Sequence, residues 1–496
     1  MTELFYRSSR NPYDRLTASQ AILKGIADDG GLYVPETIPK LSFDWETMTT
    51  WTYQDLALPI LSAFLSDYSE EELKECIQAA YDAKFDDERI APIVEVGQEY
   101  FLELFHGNTI AFKDMALSIL PYLMTKAAKK NHIDKEILIL TATSGDTGKA
   151  AMAGFANVPK TNIIVFYPKD GVSMIQERQM ITQEGDNTFV YSIKGNFDDA
   201  QTKVKQLFLD QDLVAELSEK GYQFSSANSI NIGRLVPQIV YYFYAYLQLL
   251  KRKNIKVGDS INVTVPTGNF GNILAAYYAK QMGLPINKLI CASNKNNVLV
   301  DFFNEGTYDR RRDFFVTSSP SMDILVSSNL ERLLYDISGQ DTATTKNLMA
   351  SLSTQGVYNI TDAMKTKLSD FVAGQADEEE TAKEIARLFD SYDYLIDPHT
   401  AVASAVYHKY QAETGDTTPT VIVSTASPYK FPSSIVRAID SVHQEKTDDV
   451  DAIITINELS KIDIPQAVKT ALTAPIRHQK TVTIEEMRSV VVDTLS

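Results

Sequence analysis

The sequence predicts an α/β protein built on parallel sheets, preceded by a mostly helical unit. Three patterns support this fold class: short apolar runs of strand character, loops of small and polar residues directly after them, and helical spacing after the loops. Repeated strand–loop–helix units make successive strands parallel, with right-handed crossovers. A chain of 496 residues provides for about three domains.

Four regions follow from these patterns. We expect an N-terminal mostly helical domain, a large α/β domain formed by two segments, a smaller α/β domain between those segments, and a peripheral C-terminal segment. In the first region, Ser69 followed by three glutamates is typical of a helix start, because a hydroxyl cap precedes acids at the positive helix end. The four regions are residues 1–90, residues 91–135 with 236–440, residues 136–235, and residues 441–496.

Strands are predicted where an apolar run precedes a loop, and the run 136–141 is apolar enough to be buried on both faces. The most apolar stretch, 235–250, is predicted to be a buried helix. It is shorter than the roughly 20 residues that a membrane span needs, and it contains Pro237. The predicted strands are 136–141, 162–167, 188–193, 261–265, 288–293 and 420–424.

Composition narrows the class of protein. The net charge of −18 disfavours a nucleic-acid or anionic-membrane partner, so the expected partner is a small molecule. Cys76 and Cys291 have no metal or redox spacing, the six histidines show none either, and we expect no metal site. Arg7, Arg10 and Arg15 interrupt the start of the sequence, which argues against a signal peptide and favours the cytoplasm. A monomer and a homodimer are both compatible with the sequence.

The stretch 105–114, Phe-His-Gly-Asn-Thr-Ile-Ala-Phe-Lys-Asp, holds one lysine between an apolar pair and an acid. A lysine near an apolar wall loses its proton at modest cost, and only the neutral amine attacks an aldehyde. Our hypothesis is that Lys113 carries pyridoxal phosphate as a Schiff base. The alternative is a helix-start lysine that pairs with Asp114 on the surface. His106 is a candidate for the same pocket, and the other five histidines are expected to be structural or surface residues.

Residues 267–272 lie between a predicted strand and a predicted helix, and their two glycines let the backbone approach a ligand closely. The amides of this loop and of the helix start would bind the cofactor phosphate, although a tight strand-to-helix turn is the simpler alternative. The candidate cofactor-binding residues here are Gly268, Asn269, Phe270, Gly271 and Asn272.

Residues 143–149 resemble a nucleotide-binding loop only superficially. Thr143 stands where that motif requires glycine, and Ala150 stands where it requires Ser or Thr. Hydroxyls and amides at a helix start would instead hold a carboxylate. Asp146 suits this loop only if it faces a cation or a phenolic oxygen. The candidate substrate-binding residues of the loop are Thr143, Ser144, Gly145 and Thr147.

A second anion site is predicted at 225–234, where hydroxyls, amides and one arginine precede the buried helix. Arginine can bind a phosphate through two parallel hydrogen bonds, whereas the alternative is an ordinary helix cap with an exposed arginine. Thr425, at the end of the last predicted strand, could face a pyridine nitrogen or could simply end the strand. The candidate substrate-binding residues of this segment are Ser226, Asn228, Asn231 and Arg234.

In this order, the segments resemble the longer form of the threonine synthase family, over most of the chain. Residues 6–10 and 25–36 are similar to the family's amino-terminal signature, and 105–114 is similar to its pyridoxal-lysine motif. The resemblance implies a fold type II pyridoxal-phosphate enzyme, with Asp146 near the cofactor's phenolic oxygen and Thr425 at its pyridine nitrogen. Departures from the family pattern are Asn108 in place of Pro, Ile232-Gly233 in place of Trp-Ala, and Ser427 in place of His.

The resemblance implies a carbon–oxygen lyase that converts O-phospho-L-homoserine and water to L-threonine and phosphate, by γ-elimination and β-addition of water. Lys113 would be the catalytic base. Alternatives are another fold type II enzyme, such as a serine or threonine dehydratase or a cysteine synthase, and a non-catalytic relative that binds a phosphorylated ligand. A nicotinamide dehydrogenase is disfavoured because these loops lack a full Gly-x-Gly-x-x-Gly turn.

Overall fold

The computed structural model describes residues 3–143, 145–440 and 448–495. Its N-terminal unit combines three helices with a three-stranded antiparallel sheet of order β2-β1-β3. The helices were expected from their spacing, and Ser69 and Glu72 form the capping box that starts the third helix. The elements are β1 (Tyr6–Ser8), β2 (Asn11–Leu16), α1 (Ala18–Lys24), β3 (Tyr33–Pro35), α2 (Tyr53–Phe64) and α3 (Glu70–Ala80).

The next segment supplies the edge of a large sheet and the lysine stretch. The helix expected after the lysine is divided into two, α4 and α5, with Pro121 in the first turn of the second, where proline is tolerated. The elements are β4 (Ile93–Val96), β5 (Glu99–Glu103), α4 (Asp114–Leu117) and α5 (Leu120–Lys130).

A smaller α/β unit follows, and three of its five strands lie at the predicted runs 136–141, 162–167 and 188–193. Its sheet has the order β16-β8-β7-β6-β9, with every neighbouring pair parallel. The elements of this segment are β6 (Glu136–Ala142), α6 (Asp146–Phe155), β7 (Thr161–Pro168), α7 (Met174–Ile181), β8 (Thr188–Lys194), α8 (Phe197–Leu209), α9 (Gln211–Glu219) and β9 (Tyr222–Ser225).

The chain then returns to the large sheet, whose order is β14-β11-β10-β15-β5-β4 and whose pairs are parallel except β4 with β5. The elements are α10 (Ile232–Lys251), β10 (Ile261–Pro266), α11 (Gly271–Met282), β11 (Ile286–Ser293), α12 (Val298–Glu305), β12 (Thr307–Asp309), α13 (Leu330–Ile337), α14 (Thr342–Thr354), β13 (Val357–Asn359), α15 (Asp362–Thr366), β14 (Phe371–Gln375), α16 (Glu378–Tyr392), α17 (Pro398–Thr414), β15 (Thr420–Ser424) and α18 (Pro432–Ile439).

Helix α10 is the buried helix expected from the sequence. All residues from Ile232 to Leu249 are buried, and the helix packs against α2 of the N-terminal unit and against α4 and α11. Some of its polar side chains are bonded inside the protein: Gln248 accepts from the N–H of Ile93 and donates to the carbonyl of Ala91. Within the described residues, no helix is both long and apolar enough to cross a membrane.

The C-terminal segment is not peripheral, which corrects the expectation from its charged sequence. It forms α19 (Asp449–Ser460), α20 (Gln466–Thr473), β16 (Thr481–Thr483) and α21 (Met487–Thr494). Strand β16 pairs with β8 as the edge of the smaller sheet. Val482 and Met487 join the apolar cluster on that sheet, so burial of their side chains holds the segment in place.

Candidate active site

The candidate site lies where three neighbouring strands of the large sheet end. Strands β10, β15 and β5 are adjacent and parallel, so the loops that follow them leave the same edge. The backbone N–H of Phe112 donates to the carbonyl of Thr425 at 2.8 Å, and that of Ser427 donates to Ile110 at 3.0 Å. The lysine stretch after β5 is therefore fixed directly to the loop after β15.

Lys113 is turned into this site rather than onto the surface. Its side chain is 12% exposed, and its Nζ lies 3.4 Å from Oδ2 of Asp146 and 3.3 Å from Oγ of Ser321. Asp114, the alternative partner, is instead buried and accepts two hydrogen bonds from Thr109. Burial lowers the pKa of Lys113, and the charges of Arg234 and Lys430 add to the effect. The neutral amine is thus more accessible than in an ordinary lysine.

Asp146 is the anionic centre of the site. Its Oδ1 accepts from Gln176 Nε2 at 2.9 Å and lies 3.3 Å from Lys430 Nζ, while Oδ2 faces Lys113 and Ser321. Burial by itself raises the pKa of Asp146, but the charges of Lys430 and Lys113 outweigh it and hold the pKa well below its ordinary value. Asp146 is therefore ionised, and it faces cations as the sequence required.

The loop between β10 and α11 has the form of an anion site. A Cβ added at Gly268 would lie 2.2 Å from the carbonyl oxygen of Ser321, so only glycine allows this close approach. Phe270 precedes α11 in a left-handed conformation and gives the helix no side-chain cap. The side chain of Phe270 itself stacks with Phe303 in the core, and only its backbone faces the loop. The helix start is left with unpaired N–H groups, which favour an anion.

Asn272 supplies an oriented donor to the same loop. Its Oδ1 accepts hydrogen bonds from Tyr241 and Tyr242, while its Nδ2 is buried without a partner. Buried amide groups are normally bonded, so an unpaired donor beside a free helix start indicates a missing acceptor. These groups fit the phosphate of the cofactor expected from the sequence. Asn269 is different, because it is exposed and accepts from Ser328 at 3.2 Å.

Arg234, in the first turn of α10, is the clearest second anion site. It is buried and forms no ion pair with any described carboxylate, and its side chain donates a single hydrogen bond to the described residues, from Nη1 to Ala227 at 3.1 Å. Its Nε is buried without a partner, and burial lowers its pKa to about 10. A buried guanidinium without an acid needs an anion from outside the chain. The charge of Arg234 also contributes to the lowered pKa of Lys113.

Ser226, Asn228 and Asn231 differ in what they can offer a ligand. Asn231 is fully engaged in the protein, because its amide donates to Ile22 and Ser226 and its Oδ1 caps Gly233. The structure therefore gives Asn231 a structural role and does not bring it into the site. Ser226 and Asn228 remain beside the strand ends, where Asn228 Oδ1 accepts from Thr141 at 3.1 Å.

The loop between β6 and α6 holds its own backbone through Thr143. The Thr143 hydroxyl accepts from the N–H groups of Gly145 at 3.0 Å and Gly148 at 2.9 Å, which is a structural role. Thr147 is half-buried in the first turn of α6. Thr143 already binds the amides of Gly145 and Gly148, so the amides of Asp146 and Thr147 are the ones at this helix start that could hold a carboxylate. Ser144 lies outside the described residues.

The structure places Thr425 beside the lysine stretch and His106 between two carboxylates. Thr425 is buried at the strand end beside the lysine stretch, and no described residue is bonded to its hydroxyl. His106 lies between two carboxylates, with Nδ1 at 2.6 Å from Asp86 and Nε2 at 2.9 Å from Glu103. Burial lowers the pKa of His106, but the two carboxylates outweigh it and raise that pKa to about 9. His106 is thus a structural ion-pair residue.

Three residues at the site were not expected from the sequence. Lys430 is fully buried and bonds Thr109 and Gln179 besides facing Asp146. His399 was expected to be structural or on the surface, yet its Nε2 accepts from the backbone N–H of Ser321 at 3.1 Å. Two features of the sequence could have pointed to these residues. They are the small residues around Pro320, next to Ser321, and the Asp-Pro-His-Thr run at 397–400.

Comparison with known proteins gives a consistent result along the chain. Residues 5–81 match the family described as threonine synthase N terminus. Residues 88–426 match the family described as pyridoxal-phosphate dependent enzyme, and residues 400–471 match threonine synthase, C-terminal. Together these matches include Lys113, Asp146, Arg234 and the 268–272 loop.

Individual relatives agree with these families. The chain is 41% identical to threonine synthase-like 1 of Homo sapiens over 85% of its own length, but it spans only 58% of that relative. It is 38% identical to threonine synthase of Pseudomonas aeruginosa, covering 87% of this chain and 90% of the relative. The structure resembles the crystal structure of pyridoxal-phosphate-bound threonine synthase from Brucella melitensis, with a TM-score of 0.87, 34% identity and coverage of 99% and 98%.

Proposed function

Because this chain belongs to the threonine synthase family of pyridoxal-phosphate-dependent enzymes, we propose that it converts O-phospho-L-homoserine and water to L-threonine and phosphate. The observation that carries the proposal is a set of three groups: the mostly buried amine of Lys113, which faces Asp146 and Ser321, and two buried donors lacking acceptors, Arg234 Nε and Asn272 Nδ2. Two unpaired donors suit two anions, one on the cofactor and one on the substrate.

Four groups would hold the cofactor. Lys113 would take its aldehyde, the amides of 268–272 with Asn272 its phosphate, Thr425 its pyridine nitrogen, and Asp146 the side of its phenolic oxygen. When bound, pyridoxal phosphate supplies an electron sink for negative charge that develops on the substrate carbons. A threonine hydroxyl holds the pyridine nitrogen without adding a charge to it.

The substrate has two anionic ends and one amine. We assign its carboxylate to the free amides at the start of α6, with Thr147, and its phosphate to Arg234, Ser226 and Asn228. A bond between a guanidinium and a phosphate is charge-assisted, and it orients the leaving group at the γ-carbon. The phosphate then departs with positive charge beside it.

Lys113 is the base in this proposal. Its lowered pKa lets the amine take a proton from the α-carbon and then from the β-carbon near neutral pH. Asp146 holds the resulting charge on Nζ, since it stays ionised beside Lys430. Of the two protons taken up, one leaves with the phosphate as hydrogen phosphate and the other goes to the γ-carbon, which becomes a methyl group. Water then adds its hydroxyl at the β-carbon and gives its other proton to the amine of Lys113, which returns it to the α-carbon.

Product analysis of the purified protein with O-phospho-L-homoserine tests the proposal. Equal amounts of phosphate and L-threonine are expected. A 2-oxo acid without threonine would favour a dehydratase-type enzyme, and turnover of serine derivatives with sulfide would favour a cysteine synthase. Binding of phosphohomoserine without turnover would identify a non-catalytic relative. We also assign the protein to the cytoplasm, as a monomer or homodimer whose partner is this small molecule.

A further inference from the structure

We infer that Ser321 is a further catalytic residue of this reaction, and that Asp397 and His399 form the pair that positions it. The inference rests on the proposed function, because it concerns the proton that Lys113 takes up. Ser321 belongs to a short 3-10 helix, Pro320–Met322, in the long connection between β12 and α13. In the sequence, only the small residues around Pro320 could have pointed to it.

The hydroxyl of Ser321 lies between the two ionisable groups of the site. It donates to Asp146 Oδ2 at 3.2 Å and accepts from Lys113 Nζ at 3.3 Å. Asp146 is ionised and can only accept, so the single proton of the hydroxyl is committed to it. The oxygen lone pairs are thereby turned toward Lys113. Ser321 can therefore accept a hydrogen bond from the Lys113 amine, and it does not take up the substrate proton in place of that amine.

The backbone of Ser321 is held on both sides. Its carbonyl oxygen occupies the space that a Cβ at Gly268 would fill, and its N–H donates to His399 Nε2 at 3.1 Å. A hydroxyl on a short, irregular helix would otherwise have several rotamers and backbone positions. These two contacts fix Ser321 between the 268–272 loop and α17, so its hydroxyl stays in reach of Lys113.

His399 can serve this purpose in one tautomer only. Nε2 accepts from Ser321, so the ring proton is on Nδ1, which lies 2.7 Å from Asp397 Oδ2. Asp397 is fully buried and is itself fixed as the N-cap of α17, where it accepts from the N–H groups of His399 and Thr400. Asp397 thus holds the tautomer, and His399 holds Ser321.

The position of Ser321 affects the reaction through the proton that Lys113 takes from the substrate. When Lys113 takes it from the substrate, the C–H bond breaks, the electron pair stays on carbon, and a new N–H bond forms at Nζ. The ammonium then has two acceptors in place, Asp146 Oδ2 and Ser321 Oγ. A hydrogen bond to a charged group is stronger than one to a neutral group, so Ser321 favours the protonated amine.

The test uses the protein with pyridoxal phosphate bound and follows its absorbance across pH. Ser321→Ala should move the midpoint of this titration to lower pH by about one unit, because the protonated nitrogen loses an acceptor. It should lower kcat by about 10-fold to 100-fold with KM within about two-fold. Ser318→Ala, which removes a neighbouring hydroxyl bonded to the exposed Glu378, should leave both unchanged.

Two variants of similar polarity test the positioning pair. His399→Gln can place an amide oxygen near the position of Nε2, whereas His399→Asn is too short to reach Ser321. The Asn variant should follow Ser321→Ala in titration midpoint and kcat, and the Gln variant should stay closer to the parent protein. Equal effects of Gln and Asn would overturn the positioning role.

Failure of this inference differs from failure of the proposed function. If Ser321→Ala and Ser318→Ala titrate alike while the parent protein makes threonine, Ser321 has no catalytic role and the function stands. If the parent protein makes no threonine, the function fails. The titration midpoints then still decide whether Ser321 contacts the protonated amine.

Discussion

At the residue scale, the candidate site gathers positive charge around one buried carboxylate. Asp146 pairs with Lys113 and Lys430, and the buried Arg234 has no carboxylate partner among the described residues. Burying a charge without a partner costs free energy, so the excess of cations over carboxylates favours the binding of anions. A phosphorylated substrate and a phosphorylated cofactor would both relieve it.

Replacing Lys113 separates its role from that of the other cations. Lys113→Ala should abolish the absorbance band of lysine-bound pyridoxal phosphate and lower turnover by about 100-fold or more, because the base is lost. The spectrum of the purified variant and a single-turnover assay provide the measurement. Lys383→Ala, an exposed lysine paired with Glu379, is the control. A band that survives in Lys113→Ala would contradict the assignment.

Arg234 is predicted to act on substrate rather than cofactor. Arg234→Ala should raise KM for O-phospho-L-homoserine by about 10-fold to 100-fold, since a hydrogen bond to a charged group contributes about 1.5–3 kcal/mol. The Kd for pyridoxal phosphate should change by no more than about two-fold. Steady-state kinetics and a cofactor titration measure the two quantities. An equal loss of both would show that Arg234 does not hold the substrate phosphate.

His106 links stability to pH. Its folded pKa is about 9 and its ordinary pKa is 6.5, so the folded state holds the proton more tightly. This contribution to the free energy of unfolding is complete below about pH 6.5 and is lost as pH rises through 9. Between pH 6 and pH 10 the parent protein should lose about 1–3 kcal/mol more than His106→Gln. Urea unfolding of the two proteins across this range measures their free energies of unfolding. If both change with pH in parallel, the prediction is wrong.

At the element scale, the strands and the catalytic loops were predictable, and the contacts across them were not. The apolar runs at β6, β7 and β10 mark buried strands, and glycines mark the 268–272 loop. Strands β1 and β3 are only three residues long, too short for an alternating pattern to show.

The rest of the site depends on tertiary contacts between segments far apart in the sequence. Ser321 and His399 are 78 residues apart, and Lys430 meets Asp146 across the two sheets. The spacing of residues within one segment does not predict such contacts. Asn231 is the opposite case. It lies in a segment predicted to bind substrate, but its side chain caps a helix.

The 268–272 loop should be sensitive to added volume at one glycine only. Gly268→Ala would place a methyl group 2.2 Å from the Ser321 carbonyl, so the loop or the 3-10 helix must move. We expect a loss of about 1–3 kcal/mol in stability and weaker cofactor binding. Gly271→Ala in the same loop has 3.6 Å of clearance and should lose much less of both. Similar losses in the two variants would contradict the packing argument.

At the scale of the whole molecule, two sheets share the site and the C-terminal segment joins the smaller one. Asp146 comes from the smaller unit, whereas Lys113, Ser321 and Lys430 come from the larger one. The ion pairs of the site are thus also contacts between the units, and a change in one unit reaches the chemistry through Asp146.

Removing the apolar anchor of the C-terminal segment should loosen the smaller sheet. Met487 is fully buried on that sheet, so Met487→Ala should cost about 2–5 kcal/mol. Hydrogen exchange of the β8 amides should accelerate, because β16 would release that edge. Ser489→Ala, on the exposed side of α21, is the matched control. Unchanged β8 exchange in Met487→Ala would show that β16 is held by other contacts.

The pairing of β16 with β8 also sets an order of events during synthesis. Thr481 emerges from the ribosome about 290 residues after Lys194, which takes roughly 15 to 60 seconds at 5–20 residues per second. For that time the nascent smaller sheet has an open edge, able to pair with strands of other chains. Synthesis of β16 therefore closes this edge, and a chain that has not yet reached Thr481 is the form in which β8 is exposed to pairing with other strands.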